Sequence, residues 1–417
     1  VRTILRKIEG SSLAISIIIS TIIFILCFTL ILINYSNRQI ETISFIDYRQ
    51  QKNIESATNL ILSDTQVFRS QQEEKMFLFN EDSIHIRKSL WGIFQSGCVS
   101  VVNGRYSKHR AFLYGLALPE YMRGCIYLAD HQRSLSLVGS TKLNGDLYTS
   151  LAGVKAGYIN QRGFEYTTLV NGAIRKSDAF LPSINNAAIE YLNDLTDTSK
   201  LKPDGKGLPD ILNVKFIDPA FHFGKSGPIR IVENKLQGHI IIQSDSLIEV
   251  ESTSELKSII LVAPTIIFRP GFRGNIQAFA TNHLVVGDNC QFSYPSSLVL
   301  LKKTKSENQN SILIGENCRI SGFVLSLCQK DDQIKSYVEI ANKTEIQGVV
   351  YVNGYLNLNA DINGTVLTDY FIHKTKTATY ENHLVDVEVN RNNLSEHFLG
   401  SYLFNLKELR QIVQWLE

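Results

Sequence analysis

Between Leu13 and Ile33 the chain reads LAISIIISTIIFILCFTLILI, twenty-one residues without a charged side chain. At 1.5 Å rise per residue, a helix of that length crosses a ~30 Å hydrocarbon core, and no soluble fold can bury such a run on every side in isolation. The run therefore predicts a membrane-spanning helix over residues 11–36. Charge supports this. The chain holds 42 Lys+Arg against 40 Asp+Glu, and Arg2, Arg6 and Lys7 against Glu9 account for the whole excess of +2. That excess forms a basic leader, residues 1–10, ahead of the span. The positive-inside rule then puts the N-terminus in the cytoplasm and the bulk of the protein on the other side. The neutral remainder removes the electrostatic basis for nucleic-acid binding.

A cleaved secretory signal would have an apolar core of ~7–15 residues ending in small residues. Here the run is longer and stops at Asn34-Tyr35-Ser36-Asn37, so a retained anchor is expected. Cys27, inside the span, reads as a small apolar filler. The boundary Lys7-Ile8-Glu9-Gly10-Ser11-Ser12-Leu13 resembles the leader of type IV pilins and of the pseudopilins of type II secretion. In those families a membrane peptidase cuts after the Gly and the freed apolar helix packs into a filament. The resemblance implies processing between Gly10 and Ser11. It also implies membrane or filament packing through Leu13, Ile15, Ile18, Ile22, Phe24 and Leu30. One position departs from the pattern: pilins usually carry Glu five residues after the cut, where this chain has Ile15. Minor, tip-located subunits can lack that Glu. The plain alternative is a signal anchor that keeps its leader.

Residues 37–130 are expected to form a helical stalk and a β-meander. Ile40, Ile43, Ile54, Ala57 and Ile61 recur at helical spacing, interrupted by Asp47 and Gln50. SIHIRKSLWGIFQSG, CVSVVNG and HRAFLYGLAL then place β-branched and aromatic residues between Gly and Asn breaks, as strands do. A long helix followed by a meander is also the pilin layout. Cys98 and Cys125 both lie here and are candidates for a disulfide in an oxidising compartment, subject to a Cα separation of ~4.4–6.8 Å.

Downstream, a repeat organises the chain. Val286-Gly287-Asp288-Asn289-Cys290-Gln291-Phe292 aligns with Ile314 through Ile320 and with Ile340 through Ile346; Val262 through Phe268 and Ile242 through Ile248 are looser copies. Most copies precede Gly and an apolar strand, as in Gly322-Phe323-Val324-Leu325 and Gly348-Val349-Val350-Tyr351. An earlier copy, Thr141 through Tyr148, matches Thr344 through Tyr351, so the repeat starts near residue 135. Short strands broken by Gly and Asn, in coils of about 20–28 residues, predict a β-solenoid whose coils bury one side against their neighbours. Irregular coil lengths favour a right-handed β-helix over the stricter left-handed hexapeptide type. The expected fold class is mainly β. First coils are placed at 131–182, a helical or loop insertion at 183–213, the main β-helix at 214–400 and a capping helix at 401–417, where Leu406, Leu409, Ile412, Val413 and Leu416 share a helical face.

Chemistry on the solenoid looks thin. Asp288 and Glu316 occupy one repeat position and would stack ~4.8 Å apart, a weak candidate carboxylate pair for Ca²⁺ or a shared proton. Both follow Gly and precede Asn, as turn residues do, which is the favoured reading. Cys290 and Cys318 stack similarly, followed by Thr344, and read as a ladder of small side chains. Tyr294, Tyr337, Tyr351 and Tyr355 are read as occupying different repeat positions. No HExxH, GxSxG or complete phosphate loop occurs, so neither metal nor cofactor is expected, and no catalytic residue is nominated. The Gly-aliphatic rungs in GVVYVNGYLNLNADINGTV resemble bactofilin-type polymer-forming domains. Together these readings suggest a non-enzymatic bacterial inner-membrane protein with its bulk in the periplasm or at the cell surface. It would act as a pilin-like structural, assembly or tip subunit, with the bilayer, other pilin-like, secretion or envelope proteins, or further copies of itself as partners. Two alternatives stand beside it: an anchored β-helix that binds or cleaves polysaccharide, and a static scaffold.

Overall fold

The computed structural model describes residues 2–64, 72–78, 82–201, 207–302, 309–328, 334–404 and 409–416. Helix α1, Arg2–Ser63, is uninterrupted over 62 residues, so span and stalk are one rod about 90 Å long. Its two halves differ as the sequence requires. The last third buries Ile54, Ala57 and Ile61, spaced for one helical face, against Ile84, Ile86, Val99, Val101, Phe112 and Tyr114 of an antiparallel sheet. Asp47 and Gln50, which break the apolar stripe, reach the same sheet through Lys108 (2.8 Å) and the Tyr106 carbonyl (3.1 Å). Ile40 and Ile43, further up the rod, stay exposed.

The sheet is the expected meander, Asp82–Trp91, Phe94–Asn103 and Tyr106–Leu116, with Gln72–Leu78 on one edge. The other edge corrects the reading of the C-terminus. Arg410–Leu416 is a strand, not a capping helix, and pairs antiparallel with Tyr106–Leu116, setting Ile412 opposite Tyr114 and Leu416 opposite Ala111. The run Ile412-Val413-Gln414-Trp415 is β-branched and aromatic, and a twelve-residue helix is marginal in isolation. An open sheet edge offers that segment a full ladder of partners. Leu406 lies outside the described residues.

The rest is a stack of parallel coils with three walls. On the first wall, Phe292, Ile320, Ile346 and Ile362 pair coil to coil; on the second, Val324, Val350 and Val366; on the third, Ile312, Val338, Leu356 and Phe371. These side chains fill one continuous interior. The alignment of 286–292 with 314–320 and 340–346 is the true register, because Val286 pairs with Ile314 and Ile314 with Ile340. The looser copy was out of step: Val286 stacks on Phe268, whereas Val262 stacks on Phe279.

The coil order departs from the sequence order. Ile126 pairs with Val366, Leu147 with Ile126, and Ile174 with Leu147, so the early coils lie beyond the late ones. The junction coil is composite: Val389 pairs with Ile362 on one side and Leu143 on the other, while Ile126 fills the second wall. Residues 177–201 then run back along the stack, and the next described coil begins with Ile211–Val214. Within that return lies α2, Asn186–Leu195, capped by the Asn185 side chain on the Ala187 amide and packed through Ala188 and Leu192. The insertion is thus a connection running back over the solenoid.

The second wall is covered on its outside too, which explains why its strands read as unbroken apolar runs. Phe323, Leu325, Val349, Tyr351 and Leu367 point outward into a core shared with Trp91, Phe94, Cys98 and Leu113 from the far face of the sheet. Helix, sheet and solenoid are therefore three successive layers. Arg87 fastens the last two by donating to the carbonyls of Phe216 (2.7 Å) and Ile217 (2.6 Å).

His239 sits in the same seam between Trp91 and Phe216, with ring centroids 4.7 and 4.8 Å away, and its Nδ1–H donates to the Asp218 carbonyl at 2.9 Å. Burial pushes its pKa down to about 4, with nearby Arg87 and His222 opposing protonation as well. The unfolded imidazole takes a proton near pH 6.5, so between about 6.5 and 4 the unfolded chain binds more protons and stability falls as pH drops. Melting curves from pH 7 to 4.5 should show that slope, and His239→Phe should flatten it. An unchanged slope would remove His239 from the account.

Candidate functional site

The first candidate surface is the upper half of α1. All six predicted packing residues are exposed, from 51% for Ile22 to 69% for Phe24, with Leu13, Ile15, Ile18 and Leu30 between. Among the described residues this is the one stretch long and apolar enough to cross a membrane. Gly10 and Ser11 lie within the same helix. A Gly in a helix interior costs roughly 0.5–1 kcal/mol relative to Ala, which makes this the easiest point at which to unwind the rod locally.

The other nominated residues are structural. Cys98 and Cys125 do not pair: Cys98 belongs to the sheet–solenoid seam and its thiol donates to the Phe216 carbonyl, while Cys125 lies in the solenoid interior. Burial raises both thiols, Cys125 to about 12. Asp288 and Glu316 form no carboxylate pair. The Asp288 side chain accepts the backbone N–H of Glu316 at 2.8 Å, one coil's turn capping the next, and Asn289 and Asn317 take the positive-φ corners at 59° and 53°. Among the described residues no group of His, Cys, Asp or Glu could hold a metal.

The tyrosines change most. Tyr337 pairs directly with Tyr355, and Tyr355 with Tyr370, so the third wall carries an aromatic ladder that the unequal turns had hidden. Tyr370 stacks on His131 at 4.1 Å and 5°, and the Lys335 ammonium lies 4.4 Å above the Tyr370 ring. Lys335 also pairs with Asp369 at 2.9 Å. Burial lowers the His131 pKa, so the ring is neutral near pH 7.

Here the third wall turns toward α2, and two depressions of about 390 and 400 Å³ share His131. The first lies between α2 and the second wall. Leu301, Leu327 and Tyr351 line it from the wall, and Asn186, Ile189 and Asn193, at i, i+3 and i+7, line it from the helix. The second is polar, with Asp130 and the Arg133–Glu381 ion pair. None of these residues stands in a recognisable site motif in the sequence. The only usable signal was Asn186 and Asn193 on one face of a helix whose opposite face is apolar.

No protein-family model matches the chain, and no curated protein matches it in sequence. Among solved structures, the competence-associated pilin ComZ from Thermus thermophilus aligns over 83% of this chain and 87% of its own, with 9% identity and a TM-score of 0.28. At that score the correspondence is too loose to transfer a role.

Proposed function

We propose that this protein is a membrane-anchored, non-enzymatic, pilin-like subunit that carries a β-solenoid outward from a bacterial inner membrane. Its N-terminus would be cytoplasmic and its bulk periplasmic, or at the cell surface once assembled. The observation that carries the reading is α1: one continuous helix, bare and apolar above, packed on an antiparallel sheet below. An apolar surface of that length is stable in a bilayer or against other apolar helices, and a rigid junction to the sheet would transmit its position to the solenoid. The neighbours so implied are lipid, other pilin-like or envelope proteins, and further copies of the chain. A structural, assembly or tip role fits better than that of a bulk filament subunit, because Ile15 stands where bulk pilins place Glu.

Mass spectrometry of the N-terminal peptide from native membranes tests the reading. The expected mature chain begins at Ser11 and carries N-methylation; processing would also remove the entire +2 leader. Recovery of a membrane-inserted chain that still contains Arg2–Gly10 would overturn the pilin-like reading and leave a static scaffold.

A further inference from the structure

We infer that the cleft between α2 and the solenoid, continued past His131, binds carbohydrate. This does not rest on the processing of the leader. Asn186, exposed, and Asn193, half-buried, line the cavity and make no side-chain hydrogen bond among the described residues, so both amides are open to a ligand. Facing them are Asn353 and the Lys335–Asp369 pair. Amides and carboxylates present planar pairs of donors and acceptors, which suit vicinal hydroxyls; a sugar hydroxyl both donates and accepts. Between the polar groups lies an apolar floor, and Phe180, 69% exposed, stands beside the opening as a surface for the C–H face of a pyranose.

The competing chemistries fit less well. A phosphate would meet the Asp369 carboxylate in the same lining, and the two cations there are already engaged, Lys335 by Asp369 and Lys302, buried, by the Ile334 carbonyl to which its ammonium donates. A fatty chain would dry the amides on both sides without replacing their hydrogen bonds, at a cost of ~1–3 kcal/mol for each. At about 390 Å³ the first depression is at the small end of ligand sites, which run ~300–1,000 Å³. The second depression, sharing His131, extends the polar track, so a short glycan end fits better than a lone compact ion.

The test titrates glucose, galactose, mannose, N-acetylglucosamine and N-acetylmuramic acid into the detergent-solubilised full chain, up to ~20 mM to reach weak millimolar affinities. Saturable binding of at least one sugar is expected, weakened at least tenfold by Asn193→Leu and by Asn353→Leu, and unchanged by Asn213→Leu on the first coil. A diazirine derivative of the sugar that binds should label peptides within 180–195 or 351–371 of the unmodified chain, a readout that does not depend on a variant folding. Silence across the panel, labelling elsewhere, or saturable binding of inorganic phosphate or octanoate in place of every sugar would overturn the inference.

Discussion

Gly348→Ala should lower solenoid stability by about 3–5 kcal/mol, at the damaging end of the range for single substitutions. Gly322, Gly348 and Gly364 stack in register on the second wall with φ of 138°, 149° and 159°. A Cβ on Gly348 would overlap the carbonyl oxygen of Gly322, and one on Gly364 would overlap that of Gly348. The coils cannot part to make room, because Glu345–Leu358 is hydrogen-bonded to a neighbouring strand on each side. Two other glycines separate crowding from backbone strain. Gly104 and Gly153 have φ of 54° and 69° but open space where a Cβ would go. Alanine there should cost only the left-handed backbone term, roughly 1–2 kcal/mol. Urea midpoints of the three variants decide the matter: equal losses would mean that backbone conformation, not close approach of coils, makes the column glycine.

That column is also why much of the solenoid was legible in sequence. A coil needs Gly or Asn at fixed corners and an aliphatic residue between them, so 286, 314 and 340 align by eye, and Leu143 does share a stack with Ile346 through Val389 and Ile362. What a coil does not encode locally is its neighbour. Ile126 stacks on Val366 because both present the same second-wall pattern, and nothing in residues 126–176 says that their partner lies at the far end of the chain. The C-terminal strand was hidden for a related reason. Apolar spacing at 409–416 satisfies a helix, but the deciding partner, the edge of Tyr106–Leu116, is some three hundred residues away.

The candidate cleft was less legible still. α2 could be read as helical from INNAAIEYLNDL, but Asn186 and Asn193 acquire meaning only once the return connection lays them opposite Asn353 and Asp369. Likewise Tyr337 and Tyr355 precede turns of different lengths, which conceals that they are coil-to-coil partners. The anchor was the reverse case. A charge-free run carries its own instruction, and its exposure in the structure adds only the continuity of α1 into the sheet.

That continuity depends on a buried carboxylate, and Asp82→Ala should release the lower part of α1 from the sheet. Asp82 is fully buried and accepts from Arg49 Nε (3.2 Å) and Nη2 (3.0 Å), Asn53 Nδ2 (2.5 Å) and Asn103 Nδ2 (2.7 Å). Two of these donors sit on the helix and one on the sheet, so a single side chain ties both elements. Removing it takes a carboxylate from a partly buried guanidinium and leaves the fully buried Asn53 amide group without its acceptor, and breaking a buried pair in this way costs about 3–5 kcal/mol. Asp82→Asn keeps one accepting oxygen and should cost about 1–3 kcal/mol, whereas Glu55→Gln in the solvent-screened Lys52–Glu55 pair should leave the melting curve unchanged. The effect should also be local. Hydrogen exchange in detergent is expected to accelerate at residues 53–62 and 99–103 of the Asp82→Ala chain, while amides of 345–352, two layers away, keep their protection. Uniform loss across the solenoid would show that the layers unfold as one unit, and unchanged exchange in the helix would show that the apolar contacts of Ile54, Ala57 and Ile61 hold it without the carboxylate.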